Sequence, residues 1–440
     1  MTSAGPSRAP AAEEESSVDA AARLPAGSRL CFVADGRSPI ARNWISHFAA
    51  RGHRVHLVST FPCDPAGLGL AGFHVVPVAF ARFAGGQAAA PAGPGAARPG
   101  LMRRVRARAV SALFPAVFGW LAPLEVRRHA GRLRALVREI DPLLVHAMRI
   151  PYEGIAAALA LEGEAYPLVV SVWGNDLELW AECYPLVARL TRRALGAASA
   201  LHPDCERDLR LAARWGWDAR RPAAVLPGNG GVRPELFHPG PADPALGERF
   251  GIPAGAPLVL NPRGLRAYVR NEAFFRAVPR VLAERPGAVF ACVGMAGQAR
   301  AEAWVRELGI GGAVRLLPTL APAEMAELFR RAEVAVSPSE FDGTPNTLLE
   351  AMACGAFPVA GDIASVREWI ASGENGLLCD PADPRALAGA VVRALADEPL
   401  RRRAAARNQA LVAERAEHGR VMERAEALYV EAVRAGSAKS

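Results

Sequence analysis

The stretch VAVSPSEFDGTPNTLLEAMACGAFPVAGD, residues 334–362, decides the fold. Val334 to Val336 is the short apolar run of a buried parallel strand. A turn-rich segment follows. Thr344-Pro345 then marks a helix start, a hydroxyl for the cap and a proline where the missing N–H is not needed. Gly355 stops the helix, and Phe357 to Ala360 reads as a second apolar strand. Amides left free at such a helix start can hold an anion. Two carboxylates flank it, Asp342 in the loop and Glu350 inside the helix.

The same rhythm runs outward in both directions. Leu258 to Asn261, Ala288 to Val293 and Val314 to Leu317 read as strands, with an amphipathic helix over Asn271 to Glu284 and another over Pro322 to Arg331. Upstream, Leu30 to Ala34, a turn at Asp35-Gly36, a helix ending at Gly52 and a strand over Val55 to Val58 open a second set. Leu143 to His146, Pro167 to Val172 and Ala200 to His202 continue it. Trp173-Gly174-Asn175-Asp176 sits at a strand's carboxyl end, which in an open α/β sheet faces the ligand crevice. The expected fold is therefore α/β, two doubly wound Rossmann-like domains facing across a cleft. The boundaries expected are a disordered tail over 1–27, a first domain over 28–235 and a second over 236–400. A helix over 401–440 is expected to pack back on the first domain.

The 440 residues suit two domains of this size, and 51% hydrophobic with 22% charged residues is a globular composition. The net charge of +8 does not indicate nucleic acid, because nearly every cation is an arginine spread along the chain and no reading module is present. The seven cysteines (31, 63, 183, 205, 292, 354, 379) show no metal-ligand spacing, which suits reduced thiols in a cytoplasmic protein. The first 27 residues resemble neither a signal peptide nor an anchor. Gly67-Leu68-Gly69-Leu70-Ala71-Gly72 matches a dinucleotide fingerprint, but it precedes a strand instead of opening a helix, so it is no cofactor box. Residues 84–100 read as a mobile low-complexity loop. Arginine clusters around an apolar run in 101–138 suit peripheral contact with an anionic membrane surface. A core helix with solvated arginine faces also explains them, and is the favoured reading.

Ser337-Pro338-Ser339, the run Asp342 to Gly355, Pro358-Val359, Glu368 and Asn375-Gly376 together resemble the retaining glycosyltransferases of family 4, which have the GT-B architecture. Weaker matches are the Gly36 loop, Trp173 to Asp176, Pro227 to Gly230, and Arg263 with Arg270. The resemblance implies transfer of a sugar from a nucleotide-diphosphate sugar to a hydroxyl acceptor, a glycan, a lipid-linked group or a small molecule. It implies Glu350 on the ribose hydroxyls and Asp342 on the donor sugar. Gly343 and the amides of Asn346, Thr347 and Leu348 would hold the diphosphate, with Gly36 also on the donor side. Arg263 and Arg270 would neutralise the leaving group, and Asn175 and Asp176 would lie toward the acceptor. No metal or other cofactor is implied, and the chain has no Asp-x-Asp.

Three positions depart from the family. Asp342 stands where glutamate is usual, Arg270 where lysine is usual and Trp173 where histidine is often found. Glu350 also completes a capping box with Thr347, but the Thr344-Pro345 start puts it well inside the helix. Two other functions fit the same architecture. A nucleotide-sugar epimerase would need no acceptor, and a silent binding protein would need no chemistry.

Overall fold

The computed structural model describes residues 23–77, 125–182 and 185–437. Two six-stranded parallel sheets organise it. The first contains β1 (Arg29–Ala34), β2 (Arg54–Ser59), β3 (Gly72–Val75), β4 (Leu144–Ala147), β5 (Leu168–Val172) and β6 (Ala200–Pro203), in the order β3-β2-β1-β4-β5-β6. The second contains β7 (Leu258–Asn261), β8 (Val289–Cys292), β9 (Val314–Leu316), β10 (Val334–Ser337), β11 (Phe357–Gly361) and β12 (Leu377–Cys379). Its order, β12-β11-β10-β7-β8-β9, is the same winding read from the other edge. Two Rossmann-like halves of GT-B type are therefore present, as the strand rhythm implies.

Each sheet reverses direction between its first and fourth strands, β1 beside β4 and β7 beside β10. Ligands of open α/β sheets bind outside the carboxyl ends at such a switch point. The loops after β1, β4, β7 and β10 therefore border the cleft, and those after β5 and β6 join them on the first-domain side. Apart from the edge strands β3, β9 and β12, the strands are largely buried because helices cover both faces, which is why they read as apolar runs.

The C-terminal segment differs from the expectation of one helix returning to the first domain. Helix Glu398–Arg415 packs on helix Asn346–Cys354 of the second domain, and only His418–Ser437 crosses back. The break is at the interdomain crossing. There Val232 donates its amide to Ala416 (2.7 Å) and His418 donates to Val232 (2.9 Å), so the chain's two crossings lie side by side.

Helix His418–Ser437 buries Val421, Met422, Leu428 and Tyr429 among Leu30, Phe32, Trp44 and Phe48. Each such aliphatic side chain contributes about 2 kcal/mol. A buried polar chain runs through this core. Trp44 Nε1 meets Tyr429 Oη (2.8 Å), which meets His146 Nδ1 (2.5 Å). His146 Nε2 meets Ser171 Oγ (2.8 Å), which meets His202 Nδ1 (2.9 Å), and His202 Nε2 meets the Leu226 carbonyl (3.1 Å). The indole only donates and the carbonyl only accepts, so both imidazoles are neutral with the proton on Nε2. Burial holds both histidines below their ordinary pKa, His202 at about 4.

Residues 1–22, the 84–100 loop, 101–124 and Cys183 lie outside the described residues. The described part of the arginine-rich segment is a helix over 125–140. Val126, Leu133, Val137 and Ile140 are buried in the first domain's core, while Arg127, Arg128 and Arg132 are exposed. Among the described residues no helix is long and apolar enough to cross a membrane. The six described cysteines are unpaired.

Candidate active site

The loops after β1, β4, β5, β6, β7 and β10, with Gly228, enclose a cleft of about 550 Å³. The first domain lines it with Ser38 to Ile40, Arg149, Trp173 to Asn175, Asp204 and Gly228. The second domain contributes Arg263, Arg266, Tyr268 and the whole run from Phe341 to Thr347.

The helix after β10 begins at Asn346, with Pro345 in the cap position and no side-chain cap. This moves the start one residue later than Thr344-Pro345 implies. Thr344 is drawn away because its hydroxyl donates across the interface to the Asp204 carbonyl. The amide of Leu348 is spent on Pro345 O (2.9 Å) and its side chain is buried, so Leu348 does not face the cleft. Asn346 and Thr347 line it instead, at a helix N-terminus suited to anions.

Arg263 leaves β7 and reaches this helix start. Its guanidinium pairs with Asp342 Oδ2 (2.5 Å) and approaches Thr347 Oγ1 (3.4 Å). Its Nε–H is buried without a partner, and so are Asn346 Oδ1, Ser337 Oγ and Ser339 Oγ. Buried polar atoms are nearly always paired, so the unpaired ones on cleft residues, Arg263 Nε and Asn346 Oδ1, mark where a ligand's polar groups belong.

Glu350 lies four residues after Asn346 and three after Thr347, on the same helix face. It accepts no hydrogen bond among the described residues. Burial pushes its carboxyl up to about 7, and the nearby Arg263 guanidinium pulls the other way. A carboxylate with open acceptor capacity is suited to a pair of hydroxyls.

Other expected site residues are placed elsewhere. Arg270 does not line the cleft. Its side chain pairs with Glu340 (Nε to Oε2, 2.6 Å), and Arg266 and Tyr268 occupy the wall in its stead. The bridge between Val269 and Ser339 ties the end of this loop to β10's exit and turns Arg270 away. Gly36 donates its amide to Ser59 Oγ (3.1 Å), and a Cβ there would lie 2.5 Å from Cys63 Sγ. Close packing therefore accounts for this glycine. Asp176 is fully buried and accepts from Arg149 Nε (2.9 Å), Trp173 N (3.1 Å) and Ile150 N (3.3 Å). It positions Arg149, whereas Asn175 itself lines the cleft and accepts from Arg149 (3.2 Å).

Beneath the cleft, Asp204 and Asp208 lie buried together, and burial with the neighbouring carboxylate raises the Asp204 carboxyl well above its usual range. With Cys205 they are the described residues closest to a cation-binding set, but Arg207 already pairs with Asp208 (2.7 Å).

Two family descriptions match the chain, one to each half. "Glycosyl transferase 4-like domain" matches residues 35–228, and "Glycosyl transferases group 1" matches residues 245–410. The chain belongs to the group 1 glycosyltransferases of GT-B architecture and resembles family 4. Both matched halves thus contribute a wall to the cleft. Among similar curated proteins, the D-inositol 3-phosphate glycosyltransferase of Thermomonospora curvata is 31% identical over 59% of this chain and 59% of its own. That of Thermobispora bispora is 32% identical over 41% of this chain and 44% of its own. The chain spans about half the length of these relatives. Sucrose-phosphate synthase from Thermosynechococcus elongatus shares the fold at a TM-score of 0.70 and 18% identity, over 94% of this chain and 100% of its own. Anabaena HepE in complex with UDP does so at 0.67 and 16%, over 90% and 98%.

Sequence reasoning left out Arg149, Asp204, Arg207, Arg266 and Tyr268. Arg149 and Asp204 each follow a strand's carboxyl end, the signal that picked out Trp173 to Asp176. Arg207 carried no local signal, because apart from its neighbour Asp208 its partners come from distant segments.

Proposed function

We propose that this protein transfers a sugar from a nucleotide-diphosphate sugar to a hydroxyl acceptor, with retention at the anomeric carbon and without a metal ion. The observation that carries the reading is the convergence of Arg263 Nε, Asn346 Oδ1 and an uncapped helix start, all unpaired, with Glu350 one turn below them. A diphosphate fits the arginine and the amides, and ribose hydroxyls fit the carboxylate. UDP in the Anabaena HepE complex makes uridine diphosphate sugars the first donors to try.

Asp342 pairs with Arg263. A diphosphate would compete for that guanidinium and free the carboxylate for hydroxyls of the donor sugar. Arg263, Arg266 and the helix start then meet the charge that gathers on the leaving diphosphate, which is the work a metal does elsewhere. Retention is consistent with departure and attack on one face, the leaving phosphate oxygen taking the acceptor proton. Closed walls limit attack by water. A cleft walled by both domains favours two ligands, and so transfer over epimerisation of the donor alone. The acceptor's identity belongs to the first-domain wall around Arg149, Trp173 and Asn175. The curated relatives' names make phosphorylated polyols the first acceptors to screen. Reduced, dispersed thiols fit action in the cytoplasm.

Incubation with UDP-sugars and an acceptor panel, followed by proton NMR of the product, tests this. A product with the donor's anomeric configuration supports it. An inverted product, or an epimerised donor formed without acceptor, overturns it.

A further inference from the structure

Helix Glu206–Arg214 of the first domain lacks a cap from its own domain. The residue in its cap position is Cys205, which makes no side-chain hydrogen bond to it. The cap comes from the other domain. The Glu368 carboxylate accepts from the amide of Glu206 (2.8 Å) and from that of Arg207 (2.8 Å). Two charge-assisted bonds from one carboxylate to a helix's first turn are as strong as a cap becomes. Opening the cleft by even an ångström or two would break both.

Both ends of this contact lead to the cleft. On the first-domain side, Arg207 donates to the carbonyl of Gly174, a cleft residue, and pairs with Glu178 (3.4 Å). On the second-domain side, the turn ending at Glu368 supports the donor loop. Ser365 Oγ donates to the Asp342 carbonyl (2.8 Å), and Trp369 Nε1 to Thr344 Oγ1 (3.4 Å). Glu368 itself is not a cleft residue.

We propose that Glu368 is a positioning residue that couples domain closure to the donor loop: it caps an acceptor-domain helix only in the closed state, and so aligns Asp342 against the Gly174 turn. This rests on the transferase reading for its kinetic consequence, but not for the contact itself.

The test compares wild type with Glu368→Ala, Glu368→Gln and Glu368→Asp. Hydrogen exchange without ligand reads the cap. The Glu206 and Arg207 amides should exchange about tenfold faster in Glu368→Ala, while the strands β5 and β6 are unchanged. Exchange unchanged at those amides overturns the proposal, whatever the enzyme's reaction. Calorimetry with UDP, and turnover, read the coupling. The UDP Kd should stay within about twofold while kcat for transfer falls about tenfold or more, with Glu368→Asp recovering part of it. Donor hydrolysis should fall less than transfer. Kd weakening in step with kcat, or kcat unchanged, overturns the positioning role. Glu368→Gln, nearly isosteric, supplies the comparison if the alanine variant folds poorly. If no nucleotide sugar turns over in wild type, the transferase reading fails while the exchange result still decides the cap.

Discussion

Arg263 and Asp342 form a 2.5 Å ion pair across the mouth of an uncapped helix, with Arg263 about one-tenth exposed. The pair fixes a planar cation at the place where a leaving diphosphate's charge would gather. Arg263→Ala should lower kcat/KM by about 10²–10³. Arg263→Lys, which keeps the charge but not the fork, should recover only part of this. Steady-state kinetics with saturating acceptor check it. By contrast, Asp342→Glu restores the family's usual residue and should keep activity within about threefold.

Glu350 carries a stability signature. Its carboxyl is pushed up to about 7 by burial, from an ordinary value of 4.5. Between those values the native state holds more protons than the unfolded one, so this group's contribution to stability falls as pH rises through the window and is flat above it. Glu350→Gln should therefore be more stable than wild type at pH 8, by about 1–2 kcal/mol after discounting its partial exposure, and equal to it near pH 4. Urea denaturation of the unliganded proteins at both pH values measures this.

The polar chain from Trp44 to Leu226 carries the opposite sign. His202 is held at about 4, below an ordinary 6.5, so the unfolded state binds more protons and stability from this group is lost as pH falls through that range. Glu153, pushed up to about 7 by burial, works the other way, as does Glu350, so the informative quantity is a difference. The urea midpoint should drop less between pH 6.5 and 4.5 in His202→Gln than in wild type. Tyr429→Phe should destabilise by about 1–3 kcal/mol at pH 7.5, because it leaves the Trp44 N–H and His146 Nδ1 unpaired.

Gly174 has a positive φ of 23°, and a Cβ there would run into the backbone at Gly343 of the other domain. Neither backbone can give way unless the domains part. Gly174→Ala should thus cut transfer about a hundredfold while leaving the UDP Kd within about threefold, measured by calorimetry alongside turnover.

Both sheets were legible in the sequence because parallel strands buried on both faces read as apolar runs closed by turn residues. The segment from Val334 to Asp362 was legible for the same reason, and its Gly355 stop is the left-handed residue that ends the helix. Gly72, the last glycine of the rejected fingerprint, begins β3. Interdomain chemistry was not legible. Thr344 reads as a cap until Asp204, 140 residues away, takes its hydroxyl. Arg270 reads as a phosphate ligand until the Val269 bridge to Ser339 turns it toward Glu340. The helix break near Ala416 depends on Val232, a partner that no local pattern announces.

Glu350 is the residue on which the donor site depends most directly. The decisive measurement is a thermal-shift panel of UDP-, GDP- and ADP-sugars on wild type and Glu350→Ala. One nucleotide class should raise the wild-type melting temperature by several degrees, and that rise should vanish in the variant. No stabilisation by any of the three, or an equal rise in both proteins, would contradict a nucleotide-sugar site at the Asp342 to Glu350 helix start.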